Sequence, residues 1–302
     1  MRVAAIDCGT NAIRLLIADV NGDELVDVAR RMEIVRLGEG VDRTGLLAPA
    51  AIERTRQALL GYAAEIAELG VTRVRMCATS ASRDARNAQD FRDMVRGVLG
   101  IDPEVITGEE EAQLSFLGAV QGLDAEGPFL VYDLGGGSTE FVTGTTTVER
   151  AISMDIGCVR MTERHLHSDP PTAAEIAAAE ADITAAVDTA LAAVSGQEAR
   201  TLVGLAGTVT TVTALAHDLP AYDSARIHHS RVEAADVSRV TRDLLKMTVA
   251  ERRALPVMHP GRADVIGAGA LIMKIIQARS GLPSVIASEH DILDGIAFGL
   301  SP

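Results

Sequence analysis

The chain has 302 residues, of which 47% are hydrophobic and only 3% aromatic, and its formal net charge is −14. This length is sufficient for two domains with separate cores, and the apolar content excludes an intrinsically disordered chain. The negative charge argues against a general binding surface for nucleic acid or anionic membranes, although an anionic substrate needs only a local positive site.

The sequence favours a cytoplasmic location. No apolar run reaches the 18 residues that indicate a transmembrane helix, and the N-terminal RVAAID shows no secretion signal. The three cysteines, Cys8, Cys77 and Cys158, form no CxxC pair, so we expect them to be reduced.

Lys246 and Lys274 are the two lysines among the basic residues, and the others are arginines. Arginine suits bidentate phosphate contacts, but codon bias in an Ala- and Arg-rich proteome is the simpler explanation.

The first half of the chain predicts strands followed by alternating helices and strands. Strands are expected at residues 2–7 and in AIRLLIADV, with two further hairpin strands in DELVDVARR and EIVRL. The next elements are a helix from Pro49 to Gly70, a buried strand VRMCATS, a helix over 84–99, a short strand EVIT and a helix EEEAQLSFLGAVQG. The segment GLDAEGP, residues 122–128, is the best candidate for a domain boundary.

The second half repeats this order. It predicts the strands FLVYDLGGG, STEFVTG and TVERAISMD, a helix over roughly 172–195, the strand TLVGLAG, the helix GTVTTVTALAH, helices at about 233–246 and 262–279, the strand PSVIAS and a last helix from Asp291. We therefore expect a duplicated α/β fold with domains 1–124 and 125–302, the last helix (about 291–302) packing back on the first. Ligands of such sheets bind at the carboxyl ends of strands, which predicts a site in an interdomain cleft.

A glycine-containing turn follows the first strand of each half: Asp7-Cys-Gly-Thr-Asn11 and Asp133-Leu-Gly-Gly-Gly-Ser-Thr139. Glycines let backbone N–H groups point into a small anion-binding concavity, and hydroxyl groups add donors. One such turn is also typical of a plain β-hairpin, but two at equivalent positions favour a phosphate site. The predicted phosphate-binding residues of these turns are Gly9, Thr10, Asn11, Gly135, Gly136, Gly137, Ser138 and Thr139. An aspartate at each strand end can hold Mg²⁺ directly or through water.

A third turn, Gly204-Leu-Ala-Gly207-Thr208, joins a strand to a helix. The backbone amides at Gly207 and Thr208 are further candidates for phosphate binding, because a helix N-terminus attracts anions. Basic residues near the three turns can neutralise a polyanion. We expect four of them to cluster at the site: Arg14, Arg83, Arg86 and Arg160. Of these, Arg14 is a predicted phosphate-binding residue.

Three acids begin the helix after Ile106-Thr-Gly. Acids in a first turn usually complement the helix dipole, but one of them can act as a general base that aligns a water with phosphorus. Spacing alone does not choose among Glu109, Glu110 and Glu111. The histidine pairs His165/His167 and His228/His229 lack the ligand spacing of zinc sites, so we interpret them as packing or surface residues.

The ordered set of motifs resembles the exopolyphosphatase / guanosine pentaphosphate phosphatase (Ppx/GppA) family, which has the actin–Hsp70–sugar kinase fold. The resemblance runs almost from end to end, through AIDCGTNAIRLL, CATSASRDARN, VITGEEEAQLSFLG, YDLGGGSTEF, SMDIGCVRM, GLAGTVTTVTAL, RADVIGAGALI and SEHDILDGIAFG. The short strand-turn motifs alone would also suit a kinase or chaperone of the same fold.

The resemblance implies roles for individual residues. It implies that Glu111 is the catalytic base and that Arg83 is a catalytic residue, which we expect to offset charge in the transition state. The implied cofactor is Mg²⁺, with Mn²⁺ as the alternative, and the implied metal-associated residues are Asp7, Asp133 and Glu140. The chain departs from the family at Gln113 and at Leu293, where family members usually have arginine. A homodimer is expected from the family only.

The implied function is hydrolysis of the terminal phosphoanhydride of inorganic polyphosphate. The nearest alternative is the same hydrolysis of guanosine pentaphosphate (pppGpp), because the motifs are shared. An acetate or sugar kinase of the same fold is more distant, since it needs a base for a substrate hydroxyl and an adenosine pocket. A nucleotide-gated filament or chaperone-like protein is the third class, and no peptide-binding domain fits into 302 residues.

Overall fold

The structure is a computed structural model that describes residues 1–22, 24–120 and 122–300. Asp23, the first residue of the predicted strand DELVDVARR, lies outside this description. So do Gln121, near the end of the predicted helix EEEAQLSFLGAVQG, and the last two residues of the predicted C-terminal helix. The chain divides into two compact units, one comprising Met1–Gly118 and the residues from Ile292, the other Ala119–Asp291. None of the described helices is long and apolar enough to cross a membrane.

The elements up to Val120 are β1 (Arg2–Cys8), β2 (Ala12–Asn21), β3 (Glu24–Ile34), α1 (Val41–Thr44), α2 (Pro49–Glu68), β4 (Val74–Ala78), α3 (Ser80–Asp84), α4 (Ala88–Leu99), β5 (Glu104–Val105) and α5 (Gly108–Val120). The later elements are β6 (Phe129–Leu134), β7 (Thr139–Gly144), β8 (Val148–Met154), α6 (Cys158–His165), α7 (Ala173–Ala193), β9 (Thr201–Leu205), α8 (Ala206–Ala216), α9 (Ser224–Ile227), β10 (Arg231–Glu233), α10 (Ala234–Lys246), α11 (Val249–Arg253), α12 (Ile266–Ser280), β11 (Ser284–Ala287) and α13 (Ile292–Phe298). Short 3₁₀ helices lie at Gly196–Glu198 and Pro260–Arg262.

The two sheets have equivalent strand orders. The first is β3-β2-β1-β4-β5, and the second is β8-β7-β6-β9-β11, with β10 added at its edge. In both, the first three strands form an antiparallel meander, and the central strand pairs in parallel with the strand after the first helical crossover. The predicted α/β duplication is therefore confirmed at the level of strand order and direction.

The central strand of the first sheet is buried on both faces, because successive side chains alternate between them. Ala4, Ile6 and Cys8 of β1 belong to one hydrophobic core cluster, which also contains residues of α2 and α4. Val3 and Ala5 face the opposite cluster, to which α13 contributes apolar side chains. This double burial explains why β1 is an uninterrupted apolar run that ends at Asp7.

Two predicted elements differ from the structure. The first expected hairpin strand after β2 continues to Ile34 as the single strand β3, which pairs with β2 along its whole length, with one irregularity between Ile17 and Ala18. Of the second expected strand, EIVRL, the first two residues are in β3, and residues 35–37 follow the strand. The expected helix over 84–99 is interrupted between α3 and α4. The side-chain amide of Asn87 exchanges hydrogen bonds with the backbone of Leu47, at 2.8 and 3.1 Å, and this contact holds the interruption in place.

The C-terminal helix α13 packs against β1, β2 and β4 of the first unit. Its Asp294 is 1% exposed and accepts a hydrogen bond from Nη2 of Arg30 on β3 at 2.7 Å. At Gly295, a Cβ would lie 2.1 Å from the carbonyl oxygen of Leu114, so this helix approaches α5 too closely for any side chain there. The Asp-Gly pair of the last motif is thus explained by docking.

We predict that Asp294→Ala lowers the free energy of unfolding by about 2–3 kcal/mol, because it removes a charged hydrogen bond and leaves the half-buried Arg30 with one carboxylate fewer. The matched control is Asp27→Ala, which removes the solvent-exposed partner of the same arginine at 2.8 Å. That change is expected to cost less than about 1 kcal/mol. Urea unfolding measures both, and equal losses would contradict the docking role of Asp294.

Candidate active site

The first glycine turn is a two-residue hairpin loop between β1 and β2. The Gly9 N–H donates to the carbonyl of Ala12 at 2.9 Å, which leaves Thr10 and Asn11 at the tip. Directly below the turn, Asp7 and Arg14 are opposite each other in the strand register. Nε and Nη2 of Arg14 donate to Oδ2 of Asp7 at 3.0 and 2.7 Å, so the two opposite charges are paired within the sheet.

The segment after β3 supports this turn from one side. The carbonyl of Thr10 accepts from the N–H of Gly38 at 2.9 Å, and the carbonyl of Asn11 accepts from the amides of residues 35 and 36. A trans peptide directs its N–H opposite to its C=O, so the amides of Asn11 and Ala12 point away from this segment. A Cβ on Gly38 would lie 2.4 Å from Cγ2 of Thr10, which makes Gly38 a supporting residue that motif analysis missed.

The second glycine turn has the same length and the same position between β6 and β7. The Gly135 N–H donates to the carbonyl of Ser138 at 3.1 Å, as Gly9 does to Ala12, and Gly136 and Gly137 are at the tip. Asp133 and Glu140 take the places of Asp7 and Arg14 in the strand register. The two turns are therefore equivalent residue by residue, as their sequences suggest.

The N-terminus of α6 binds the carbonyl groups of the second turn. The N–H of Cys158 donates to the carbonyl of Gly135 at 3.0 Å, and the next two amides donate to the carbonyl of Gly136 at 2.9 and 3.1 Å. Nε of Arg160 donates to the carbonyl of Gly137 at 2.7 Å.

Because all three carbonyls point towards α6, the N–H groups of Gly136, Gly137 and Ser138 point away from it. Three successive amides directed to one side form a concavity suited to an anion. The predicted phosphate-binding role of this turn thus has a geometric basis. Arg160, which was expected to join a cluster of arginines at the site, contributes one of the bonds that orient the turn.

The carboxylates of the second turn are concentrated where the first turn has an ion pair. Asp133 and Glu140 are directly opposite each other on neighbouring strands, and they are 7% and 1% exposed. Ser153 of β8 donates to Oε1 of Glu140 at 2.7 Å. Like charges directly opposite each other destabilise a sheet, so this pair fits a cation between or beside the two carboxylates, whereas Arg14 already neutralises Asp7.

Metal-binding groups are otherwise sparse. Within residues 1–22, 24–120 and 122–300, no three His, Cys, Asp or Glu side chains are grouped as a metal site. His228 and His229 stack with ring centroids 3.7 Å apart, and His290 lies 4.4 Å from His228. Nδ1 of His228 accepts from the backbone N–H of Glu289 at 3.2 Å. These histidines contact one another and the backbone.

The third turn begins α8 with a strained residue. Ala206 has φ +72°, a left-handed conformation that is uncommon for any residue except glycine. A Cβ on Gly207 would overlap the guanidinium of Arg262, whose Nη1 lies 3.5 Å from the carbonyl of Gly207. Thr208 is 5% exposed and lies against Gly269 of α12, where a Cβ would come within 2.5 Å of its hydroxyl oxygen. Arg262 is an arginine beside a candidate turn that sequence reasoning did not single out.

The three acids at the start of α5 have different environments. Glu110 is exposed and accepts from the N–H and the hydroxyl of Thr107 at 2.8 and 3.0 Å, so it caps the helix. These hydrogen bonds lower the pKa of Glu110. Glu109 is exposed, whereas Glu111 is 8% exposed. Burial therefore separates Glu111 from its neighbours where spacing does not.

Arg83 is the partner of Glu111 within the first unit. Its Nη1 lies 3.3 Å from Oε2 of Glu111 and donates to the carbonyl of Ile106 at 3.1 Å. Arg86 is exposed and donates to the carbonyl of Thr44 at 3.0 Å. The expected cluster of four arginines stays a prediction.

Two threonine hydroxyl groups of the glycine turns form hydrogen bonds with other residues of the chain. The fully buried Thr139 donates to the carbonyl of Ile156, which ties β7 to the segment before α6. The hydroxyl oxygens of Thr10 and Ser80 lie 2.8 Å apart and are buried. These bonds support the turns, and the phosphate contacts expected of both threonines stay predictions.

Comparison with known proteins identifies the class of enzyme. Residues 16–298 match the family described as the Ppx/GppA phosphatase family. The chain therefore belongs to that family, as the sequence predicted, and its duplicated sheets have the actin-like fold of that resemblance.

The chain is similar to a named relative and to solved structures over its full length. It is 54% identical to exopolyphosphatase 2 of Mycobacterium tuberculosis, over 99% of this chain and 98% of the relative. A crystal structure of an exopolyphosphatase-like protein superposes with a TM-score of 0.96 at 45% identity, covering 99% of this chain and 97% of that one. The Aquifex aeolicus member of the Ppx/GppA family superposes with a TM-score of 0.84 at 33% identity, with the same coverage.

Gly157 provides a test of the second turn. Its Cβ would lie 2.3 Å from the carbonyl group of Gly136 and 2.5 Å from the N of Gly137, so Gly157→Ala must displace the backbone of the turn. We expect tripolyphosphate to bind about tenfold more weakly or worse, the equivalent of one lost charged hydrogen bond. Isothermal titration calorimetry measures this.

The matched control is Gly97→Ala on α4, where an added Cβ meets nothing within 4 Å. It should leave the affinity for tripolyphosphate unchanged. Unchanged affinity in Gly157→Ala, in protein with a normal circular dichroism spectrum, would show that the turn does not bind phosphate.

Proposed function

We propose that this chain hydrolyses the terminal phosphoanhydride bond of inorganic polyphosphate and releases orthophosphate. Its membership of a phosphatase family and its 54% identity to exopolyphosphatase 2 over nearly the full chain support this proposal. The observation that carries the choice of hydrolysis is Glu111, a buried acid beside Arg83 at the start of α5.

The glycine turns bind the phosphate groups. The outward amides of Gly136, Gly137 and Ser138 donate to the oxygens of the terminal phosphate, and the amides of the first turn bind in the same manner. Fixed donors cost no reorganisation when charge moves during the reaction, so they stabilise a transition state more effectively than water does. That both turns serve one substrate stays a prediction.

Glu111 orients the attacking water and accepts its proton. Its carboxylate is held in place by Nη1 of Arg83, and the same guanidinium is fixed by the carbonyl of Ile106. The remaining guanidinium hydrogens of Arg83 offset the negative charge of the transferring phosphoryl group. In-line phosphoryl transfer depends mainly on such positioning and charge compensation.

Asp133 and Glu140 are the residues that would hold Mg²⁺. Their opposed, buried carboxylates would supply the hard oxygen ligands that Mg²⁺ prefers. The bound ion supplies charge neutralisation of the phosphate oxygens. Asp7 forms a salt bridge with Arg14. We therefore propose that Asp7 lies beside the phosphate site and that Asp133 and Glu140 are the preferred metal ligands. Mn²⁺ is the alternative cation.

The substrate alternative is pppGpp, whose terminal phosphoanhydride the same groups would hydrolyse. A kinase of the same fold remains distinguishable by its product, because it transfers phosphate to an acceptor other than water.

We further propose a cytoplasmic homodimer. The free, buried thiols of Cys8, Cys77 and Cys158 support a reducing compartment, and the dimer rests on the family resemblance.

The decisive variant is Glu111→Gln, which keeps the size of the side chain and removes the base. We expect kcat to fall by about 10²–10⁴-fold, the usual contribution of general-base catalysis. The matched control is Glu110→Gln, one residue earlier, because glutamine preserves the capping contact with Thr107. The control should keep kcat within about twofold of wild type. Full activity in Glu111→Gln would remove the proposed base.

A substrate panel tests the proposed reaction. Orthophosphate release is measured from long polyphosphate, tripolyphosphate, pppGpp and ATP, with Mg²⁺, with Mn²⁺ and with chelator. We expect the highest kcat/KM for polyphosphate and loss of activity in chelator. A higher kcat/KM for pppGpp would favour the alternative substrate, and faster transfer from ATP to acetate or a sugar than to water would favour the kinase.

A further inference from the structure

A cavity in the second unit lies outside the glycine turns and is bounded by three helices. α12 packs against both α7 and α10. Residues of α7 and α10 form its two sides, Lys274 of α12 lies between them, and Pro170 and Pro171 close one end. Its volume of about 440 Å³ is within the range of sites that bind small organic molecules.

The cavity combines apolar walls with cationic groups. Ile176 and Leu245 contribute apolar surface from the two side helices. Lys274 donates to Oε1 of Glu180 at 3.0 Å, so the carboxylate that lines the cavity is paired. Arg242 and Lys246 are two further cationic side chains along α10, and Nε of Arg242 lies 3.6 Å from Oδ1 of the adjacent Asp243. A locally cationic cavity contrasts with the net charge of −14 for the whole chain.

The kind of cationic side chain in the cavity limits the class of ligand that it can bind. Of the 28 lysines and arginines in the chain, two are lysines, and both line this cavity. Arginine presents a planar fork that suits bidentate and repeated phosphate contacts, whereas a lysine ammonium is a compact point charge on a flexible apolar stem. Two such stems beside an apolar wall fit a single anionic group attached to an apolar body.

We propose that this cavity is a binding site for an organic anion with one anionic head group on an apolar body. The head group pairs with the ammonium groups of Lys246 and Lys274, and the body packs against Ile176, Leu245 and the two prolines. This site is separate in its residues from the proposed phosphate site and does not depend on the proposed hydrolysis.

A pair of fluorescent probes tests the proposal on the full chain. The probe is 8-anilinonaphthalene-1-sulfonate, and N-phenyl-1-naphthylamine is its counterpart without the sulfonate. We expect one saturable sulfonate site. The double variant Lys246→Met/Lys274→Met should weaken binding of the sulfonate probe about tenfold or more, as expected for lost charge-assisted contacts. Its affinity for the uncharged probe should change by less than about twofold.

The matched control is Arg279→Met. Arg279 lies on the same helix and pairs with Asp188 of α7 at 2.8 Å, just as Lys274 pairs with Glu180, but it does not line the cavity. It should leave the affinity of the sulfonate probe unchanged. Equal weakening by Arg279→Met would overturn the proposal, because it would trace the effect to helix packing rather than to the cavity.

Competition experiments separate this site from the phosphate site and compare head groups. Decanoate or decyl phosphate should displace the sulfonate probe, and the stronger competitor identifies the preferred head group. Tripolyphosphate, which has charge but no apolar body, should not displace it. Displacement by tripolyphosphate, equal displacement by decanol, or the absence of saturable binding would each overturn the proposal.

Discussion

The direction of three peptide groups controls what the second glycine turn can bind. The amides at the start of α6 and the side chain of Arg160 hold the carbonyls of Gly135, Gly136 and Gly137 on one side. The following N–H groups must therefore face the other side. Glycine is needed at 157 because the helix start lies directly against this backbone. The proposed phosphate chemistry depends on this arrangement.

The duplication gives two equivalent turns with different charge chemistry. At the same register position, one turn has an aspartate opposite an arginine and the other has an aspartate opposite a glutamate. The first pair is neutral as folded, whereas the second concentrates negative charge and suits a cation. The same hairpin geometry suits the two proposed roles, anion binding near a paired carboxylate and anion binding with a metal ion.

The sequence predicted the elements whose formation is determined by residues close together in the chain. Apolar runs, Pro49 and the glycine turns located the central strands and the long helices, because burial and backbone freedom are encoded residue by residue. They did not predict the short elements α1, α3, α6, α9, β10 and α11. The interruption between α3 and α4 was missed because Asn87 bonds to Leu47, which is 40 positions away. A single strand β3 was divided for a similar reason, since its continuity comes from pairing with β2.

The candidate site was also predictable only where nearby residues determine it. The glycine turns and their acids were recognisable from sequence, but the supports of the turns, Gly38 and Gly157, act through contacts with residues that are distant in sequence. Spacing did not distinguish Glu110 from Glu111, and burial did. The cavity with the two lysines had no sequence signal at all, because Lys246 and Lys274 come together only through the packing of α10 and α12.

Amide chemical shifts report which side of the second glycine turn faces phosphate. In ¹⁵N-labelled protein titrated with tripolyphosphate, we expect the largest shifts at the amides of Gly136, Gly137 and Ser138. The amides of Cys158 and Val159, which are bonded to the turn, should shift little. Large shifts at residues 158–159 with none at 136–138 would show that the turn faces the other way and would contradict the account.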